Sequence, residues 1–497
     1  MGCEVQAAQP DERGVMNIAP PAPKWQRPMP AGAATAGASA SWTVPGRSAA
    51  TATIEPAGHR DGPAPLPPLS QDLTWPFLIV LAYFFVDFAR PQSWFPPLGV
   101  IKPGMFALGG GLLTLLIRRE LLYFPTRAKL MTAFLVLMAI GTPFATNRYW
   151  AFVTTKDFAL FLFGAVIPLM SFVDTYSRLK RLASFFILIH IPLALYGITH
   201  SGFGIGSFLG DENDFCLAIN IVVPYVLFSF YYVRSKSLKV ALLLTLGLML
   251  LAITASKSRG GFVGLVAVAV YAWLASPRKL AALVLMIVVS LPVLALVPDS
   301  YWDEIKTIET STENDDTGAQ RLYLWGLAWD MFKHENPILG VGPTNFQWNS
   351  HKYESDEQTN KGLHVWGKGA HSLYFTLLPE EGLVGVAIFL SILFVSFKES
   401  HLIRRTYKKH AKQGTLPAEQ LRRLYIVNVL TRANDAAIVA YLVTGAFLSV
   451  LYYPHLWLQD GFGVALKRTS DDLIKRYAQE PVKVAPKGFV LQARRQS

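Results

Sequence analysis

Arg259, His371 and Glu381 are the residues of this 497-residue chain whose type and position could do chemistry. Each stands at the margin of a long apolar run. Arg259 lies in ASKSRGGFVGL at 255–265, and His371 and Glu381 lie in AHSLYFTLLPEEGLVG at 370–385. Ionisable groups are disfavoured at membrane depth, so where they occur there they usually mark a site. Gly260 and Gly261 open a helix directly after Arg259. Exposed amides, the positive helix end and a guanidinium together suit a phosphate. The plainer reading is that Arg259 snorkels to lipid headgroups. Lys257 adds a second cation beside it. A histidine can take a proton near neutral pH. Glu381 follows ten residues on, nearly three helical turns down a similar face. From there it could orient the imidazole or raise its basicity. The alternative for His371 is a hydrogen bond to a loop carbonyl, and with His351 and His364 close by, the residues alone leave the choice of histidine open.

These groups must be held by membrane helices. The chain is 52% hydrophobic and only 16% charged, with a mean hydropathy of +0.32. Soluble domains carry about 25% charged residues and rarely repeat apolar runs of ~20 residues. Such runs predict helices near 75–90, 100–117, 129–145, 151–172, 182–199, 214–233, 238–255, 260–275 and 280–297, then at 371–397, 424–446 and 449–466. The last is short and holds Asp460, which fits an interfacial or re-entrant segment as well as a span. The expected fold is therefore an all-α polytopic membrane bundle of eleven or twelve transmembrane helices with one large outer loop.

The net charge of +12 would suggest nucleic acid in a soluble protein, but here the cations collect in alternate loops. Arg118, Arg119, Arg127 and Lys129 follow the second run, Arg178, Lys180 and Arg181 the fourth, Arg234, Lys236 and Lys239 the sixth, and Arg278 and Lys279 the eighth. The stretch 398–423 adds eight more, from Lys398 to Arg423. The positive-inside rule makes these loops and the N-terminus cytoplasmic. Lys257 and Arg259 then fall on the outer face, against the charge bias of the rest of the chain.

The outer segment 299–369 is too long for a plain connector. QRLYLWGLAWDMFKH at 320–334 reads as an amphipathic helix, with Trp325 and Trp329 expected at headgroup level. Arg321 opens it, and spacing alone does not distinguish a site residue from a solvated charge. Pro337, Gly340, Gly342 and Pro343 read as turn formers. The acidic run Glu313–Asn314–Asp315–Asp316 lacks the alternating ligands of a calcium loop and reads as a solvated turn. In GDENDF, Asp211 and Asn213 could hold sugar hydroxyls, although capping of the next helix through Asn213 is the simpler role on spacing.

Residues 1–70, rich in Pro, Ala, Gly and Ser, are expected to be a disordered tail with no signal-peptide core. Met16 is an alternative start, and the Met-Gly opening is a weak myristoylation signal because Ala7 stands where Ser or Thr is wanted. The two cysteines, Cys3 and Cys216, form no disulfide framework and have no metal-ligand spacing. Cys216 reads as a small core residue.

The ordered set Ser258-Arg259-Gly260-Gly261, Arg321 with Trp325, PILGVGPTNF at 337–346, His371-Ser372-Leu373-Tyr374 and Glu381-Gly382-Leu383 resembles the O-antigen ligase and polymerase superfamily of bacterial inner-membrane glycosyltransferases. The resemblance covers roughly residues 215–395. GDENDF is similar to a family loop with Asp and Asn, and Arg90-Pro91-Gln92 to one branch of the superfamily. The resemblance implies transfer of a glycan from an undecaprenyl-diphosphate carrier to an acceptor hydroxyl at the periplasmic face, with no metal ion and no cofactor. It implies that Arg259 and Arg321 engage the diphosphate and that His371 activates the acceptor. A second family histidine in the large loop corresponds to His364 in preference to His351. Lys257, Asp211 and Asn213 are expected beside the substrate, and Glu381 beside His371.

The acceptor stays open on sequence: lipid A core sugar, another lipid-linked glycan, or a protein side chain, with ligase modestly preferred. A transporter of lipid-linked glycans is the alternative of another class. It should carry charges at mid-membrane and internal repeats, and here the charges sit at the outer margin. An inactive assembly scaffold is the third reading. The expected organisation is a tail at 1–70, helices one to nine over 71–298, the periplasmic loop at 299–370, helices ten to twelve over 371–466 with a basic cytoplasmic loop at 398–423, and a C-terminal tail at 467–497.

Overall fold

The computed structural model describes residues 73–206, 209–276, 279–295, 316–355 and 365–479. The N-terminal tail, most of the acidic run, His364 and residues 480–497 lie outside the described residues. Among the described residues the chain is helical and contains no strand. It runs back and forth through α1 (Trp75–Phe84), α2 (Pro103–Ile117), α3 (Thr126–Gly141), α4 (Arg148–Phe161), α5 (Tyr176–Thr199), α6 (Glu212–Asn220) with α7 (Val223–Ser229), α8 (Lys236–Ala255), α9 (Arg259–Ala275) and α10 (Lys279–Ala295). An extramembrane helix, α11 (Asp316–His334), precedes α12 (Leu373–Gln413), α13 (Ala418–Thr444) and α14 (Pro454–Gln479). The protein is an all-α polytopic membrane bundle.

Seven of the described helices are long and apolar enough to cross a membrane, and three more are apolar but shorter. The eleven or twelve expected runs include two passes outside that set, for physical reasons. The 214–233 run is split into α6 and α7 around Ile221 and Val222, with Pro224 in the first turn of α7. The 449–466 run starts later and continues further, as the 26-residue α14. Its stretch Leu456–Leu466 is buried almost throughout, so it packs against protein and tolerates polar groups that lipid would reject.

Interior polar groups are paired accordingly. Arg127, buried in α3, bonds Asp460 Oδ1 of α14 at 2.9 Å and Glu399 Oε2 of α12 at 2.7 Å. Asp435 of α13 meets Arg404 and accepts from the Tyr271 hydroxyl at 3.1 Å. Tyr225 places its hydroxyl 2.9 Å from Asn434 Oδ1 and 2.6 Å from Gln459 Oε1. The basic stretch 398–423, expected as a loop, is mostly helix instead. α12 continues to Gln413 and stops at Gly414, whose left-handed backbone and the following Pro417 turn the chain into α13.

One break in a helix organises the end of the bundle where α12 begins. Gly382 interrupts α12 with φ 61° and ψ −168°, a conformation reserved for glycine. The backbone groups released there are taken by the segment 337–346. Val341 N and Gly342 N donate to Pro379 O and Glu380 O, both at 2.9 Å. Leu383 N and Val384 N donate to Pro337 O at 2.9 Å and Ile338 O at 3.1 Å. Glu380 adds two more bonds, accepting from Thr344 N at 2.8 Å and Phe346 N at 3.0 Å. The glycines of PILGVG thus do more than turn: they let one backbone lie directly on another.

Above this interlock, α11 packs Leu324, Leu327, Ala328 and Met331 with Phe346, Val365 and Ala370 into a second small core. The expected placement of both tryptophans at headgroup level is corrected here. Trp325 points into protein, stacked on Phe375 at 5.1 Å and donating to Ala370 O at 3.0 Å, while Trp329 is exposed.

Two stability outcomes follow. Arg127→Met leaves Asp460 and Glu399 without their buried partner, a loss of about 3–5 kcal/mol, and should lower the melting temperature of the detergent-solubilised protein clearly. Gly382→Ala meets both a backbone angle costing about 1–3 kcal/mol and overlap with Ile338 O. It should lower the melting temperature and expose 337–346 to limited proteolysis; wild-type behaviour in both assays would contradict the interlock.

Candidate functional site

A cavity of about 400 Å³ opens at the end of the bundle where α5 and α8 finish and α6 and α9 begin. Its lining includes Lys257, Arg259 and Arg321 together with Glu212, Asn213, Ser201 and Phe203. Three cations from two separate parts of the sequence therefore converge on one space.

Local structure explains how each is held. Ser258 caps α9, its Oγ accepting from Gly261 N at 3.0 Å, so Arg259 occupies the first turn of that helix. Ser258 Oγ in turn donates to Asn213 Oδ1 at 2.7 Å. The cap of α6 is Asp211, which accepts from Asn213 N at 2.8 Å and Asp214 N at 3.3 Å. This corrects the expectation that Asn213 caps α6: its side chain instead ties α6 to the start of α9. Close approach of the two helices needs Gly261, where a Cβ would overlap Cys216 Sγ. Cys216 is a buried core thiol, as its apolar setting suggested.

Arg321 reaches the cavity from α11. Trp325, one turn further along, is the residue that fixes α11 against Ala370. His371 follows at once, with φ 47° and its N–H donating to Ser449 Oγ at 2.8 Å. The imidazole is exposed and lies within electrostatic range of Arg321, Asp211 and Lys368. Desolvation first, then the Arg321 guanidinium, hold its pKa below the ordinary histidine value, with Asp211 opposing and Lys368 adding to the depression. The ring is therefore neutral at neutral pH, a state that accepts a proton. Ser201, Lys257 and His371 all have positive φ without being glycine. Left-handed backbone at L-residues costs about 1–2 kcal/mol each, and such strain concentrates at functional sites.

Other expected residues fall elsewhere. Glu381 is buried in the interlock, where Tyr452 bonds Glu381 Oε1 at 2.7 Å and Glu380 Oε2 at 2.8 Å. It does not line the cavity. His351 is exposed on a short 3-10 turn, also outside the lining, and His364 lies outside the described residues. Arg90-Pro91-Gln92 closes α1: Arg90 Nε donates to Asp87 O at 3.3 Å and Gln92 Nε2 to Val86 O at 3.2 Å.

Several participants gave no sequence signal. Ser449 and Tyr452 act across 78 and 71 residues of chain, and Ser201 and Phe203 are ordinary loop residues until the fold brings them to the cavity. Glu380 is one of two adjacent acids, and only the fold distinguishes it, through its bonds to Thr344 N and Phe346 N.

Residues 244–390 match the family described as O-Antigen ligase. The matched segment is under a third of the chain, running from α8 through the outer segment into α12, and contains Lys257, Arg259, Arg321, His371 and Glu381. No curated protein matches the chain. Within that segment the chain is similar to the O-antigen ligase family.

Proposed function

We propose that the protein transfers a glycan from an undecaprenyl-diphosphate carrier to an acceptor hydroxyl at the periplasmic face of the inner membrane. The convergence of Lys257, Arg259 and Arg321 on one cavity carries the reading, with His371 outside that lining but within electrostatic range of Arg321. A breaking glycosidic bond leaves charge on the diphosphate, and charge-assisted hydrogen bonds from two guanidiniums stabilise it as it grows. The positive end of the α9 dipole adds to that field. His371 takes the acceptor's proton as the hydroxyl attacks the anomeric carbon opposite the diphosphate, so the configuration at that carbon inverts. General-base help of this kind contributes about 10²–10⁴-fold.

Asp211 and Asn213 act on this reading by holding the starts of α6 and α9, with Glu212 and Asn213 available to sugar hydroxyls at the cavity wall. Glu381 acts as a positioning residue: through Tyr452 it keeps the broken helix, and with it His371, in place. Its carboxylate bonds Tyr452, so the role of acid orienting His371 is not the one proposed for it. Lipid A core is the preferred acceptor on the resemblance; a second lipid-linked glycan or a protein side chain would use the same groups. A transporter is disfavoured because the buried interior charges Arg127, Asp460 and Asp435 are taken by partners, while the three cations of the cavity sit at one end of the bundle.

His371→Ala should abolish glycan transfer in cells while protein abundance and melting temperature stay at wild-type levels. Full-length lipid-linked glycan accumulating over a bare acceptor would mean ligase, and a collapse to single repeat units would mean polymerase. An unchanged glycan profile would sink the transferase reading. The pH profile gives an independent check. Lys368 lowers the His371 pKa, so Lys368→Gln should raise it and move the acid limb of the rate profile to higher pH. A limb that stays put, or moves the other way, would remove His371 from the role of base.

A further inference from the structure

A second cavity, of about 630 Å³, lies at the opposite end of α5 and α8, closed on one side by the start of α13. It shares no lining residue with the first. α8 rises about 30 Å over its length, and the two cavities lie toward its opposite ends. Ile187 and Leu188 of α5 face Leu238 and Leu242 of α8 across it. Leu188 and Leu238 are 60% and 50% exposed, which leaves the groove open along the side that meets lipid.

The mouth is cationic. Lys180, Arg234 and Arg422 line it, with Glu419 as the one acid in the lining. Glu419 is already engaged by Arg423 at 3.0 Å and by Arg422 at 3.9 Å. Among the described residues Lys180 and Arg234 form no ion pair. A positive mouth above an apolar slot is an unbalanced arrangement unless something anionic and apolar occupies both.

We propose that this groove binds an acidic glycerophospholipid of the cytoplasmic leaflet, with its phosphate at Lys180, Arg234 and Arg422 and one acyl chain between α5 and α8. The basic loops assign this end to the cytoplasm, where anionic headgroups attract such residues. A choline headgroup would bring a further cation to a mouth already in excess of positive charge. Free phosphate would leave the apolar slot unfilled. The bound lipid clamps the helix pair whose far ends supply Ser201, Phe203, Ser256 and Lys257 to the transfer cavity.

The test uses full-length protein delipidated in detergent and exchanged into nanodiscs of dioleoyl-phosphatidylcholine with or without dioleoyl-phosphatidylglycerol. Melting temperature and lipid retained through native mass spectrometry are read together. Wild type should retain phosphatidylglycerol over phosphatidylcholine by about five-fold or more, in keeping with three cations at the surface, and should melt higher with it. The variant K180Q/R234Q/R422Q should lose the preference. K408Q/K409Q/K412Q, which removes the same charge from the end of α12, should keep it. Leu238→Trp, which fills the slot and leaves the cations, should also lose it, and serves if the triple variant fails to fold. Equal retention of the two lipids by wild type, a preference that survives in K180Q/R234Q/R422Q or in Leu238→Trp, or the same stabilisation by inorganic phosphate alone would each overturn the proposal.

Discussion

A helix broken inside a membrane protein must give its released amides and carbonyls new partners, because hydrocarbon offers none. α12 breaks at Gly382, and the segment 337–346 supplies those partners through four backbone hydrogen bonds. The extramembrane segment is thus stitched into the bundle. α11, packed over 346 and 370, inherits a fixed position, and with it Arg321 does too. Without that exchange, Arg321 would be a charge on a loose loop. With it, Arg321 meets Lys257 and Arg259 from a different part of the chain.

The same constraint separates the acids from the chemistry. Glu380 and Glu381 face the interlock and Tyr452, where they hold backbone amides and a phenol. The groups proposed to react lie beside helix starts: Arg259 in the turn that Ser258 caps, and His371 just before the cap Ser372. On the proposed reading an anionic donor meets cations and a helix dipole held before it binds, so little reorganisation would accompany transfer.

Much of this was legible before any coordinates. An all-α membrane bundle follows from the apolar runs, and Lys257, Arg259 and His371 stand out because charge at an apolar margin is rare. Arg321 was visible only through the ordered set of motifs. What escaped depended on distance in sequence. Counting turns from His371 put Glu381 on a shared face, but a helical count says nothing about a tyrosine 71 residues away that takes the carboxylate. α14 was cut short because hydropathy sees lipid-facing helices, and this one is enclosed by protein around Asp460 and Arg127. Asn213 was the expected cap, but either type can cap a helix; Asp211 takes the amides and Asn213 bonds the Ser258 hydroxyl instead.

The central claim is that three cations on one cavity recognise a lipid-linked diphosphate. Its most direct measurement is the affinity of purified protein in nanodiscs for undecaprenyl diphosphate against undecaprenyl monophosphate, in wild type and in Arg259→Gln/Arg321→Gln. The account predicts tighter binding of the diphosphate by wild type and loss of that preference in the double variant, by about ten-fold or more for two charge-assisted contacts. Equal affinity for the two lipids, or a preference untouched by removing both guanidiniums, would contradict it.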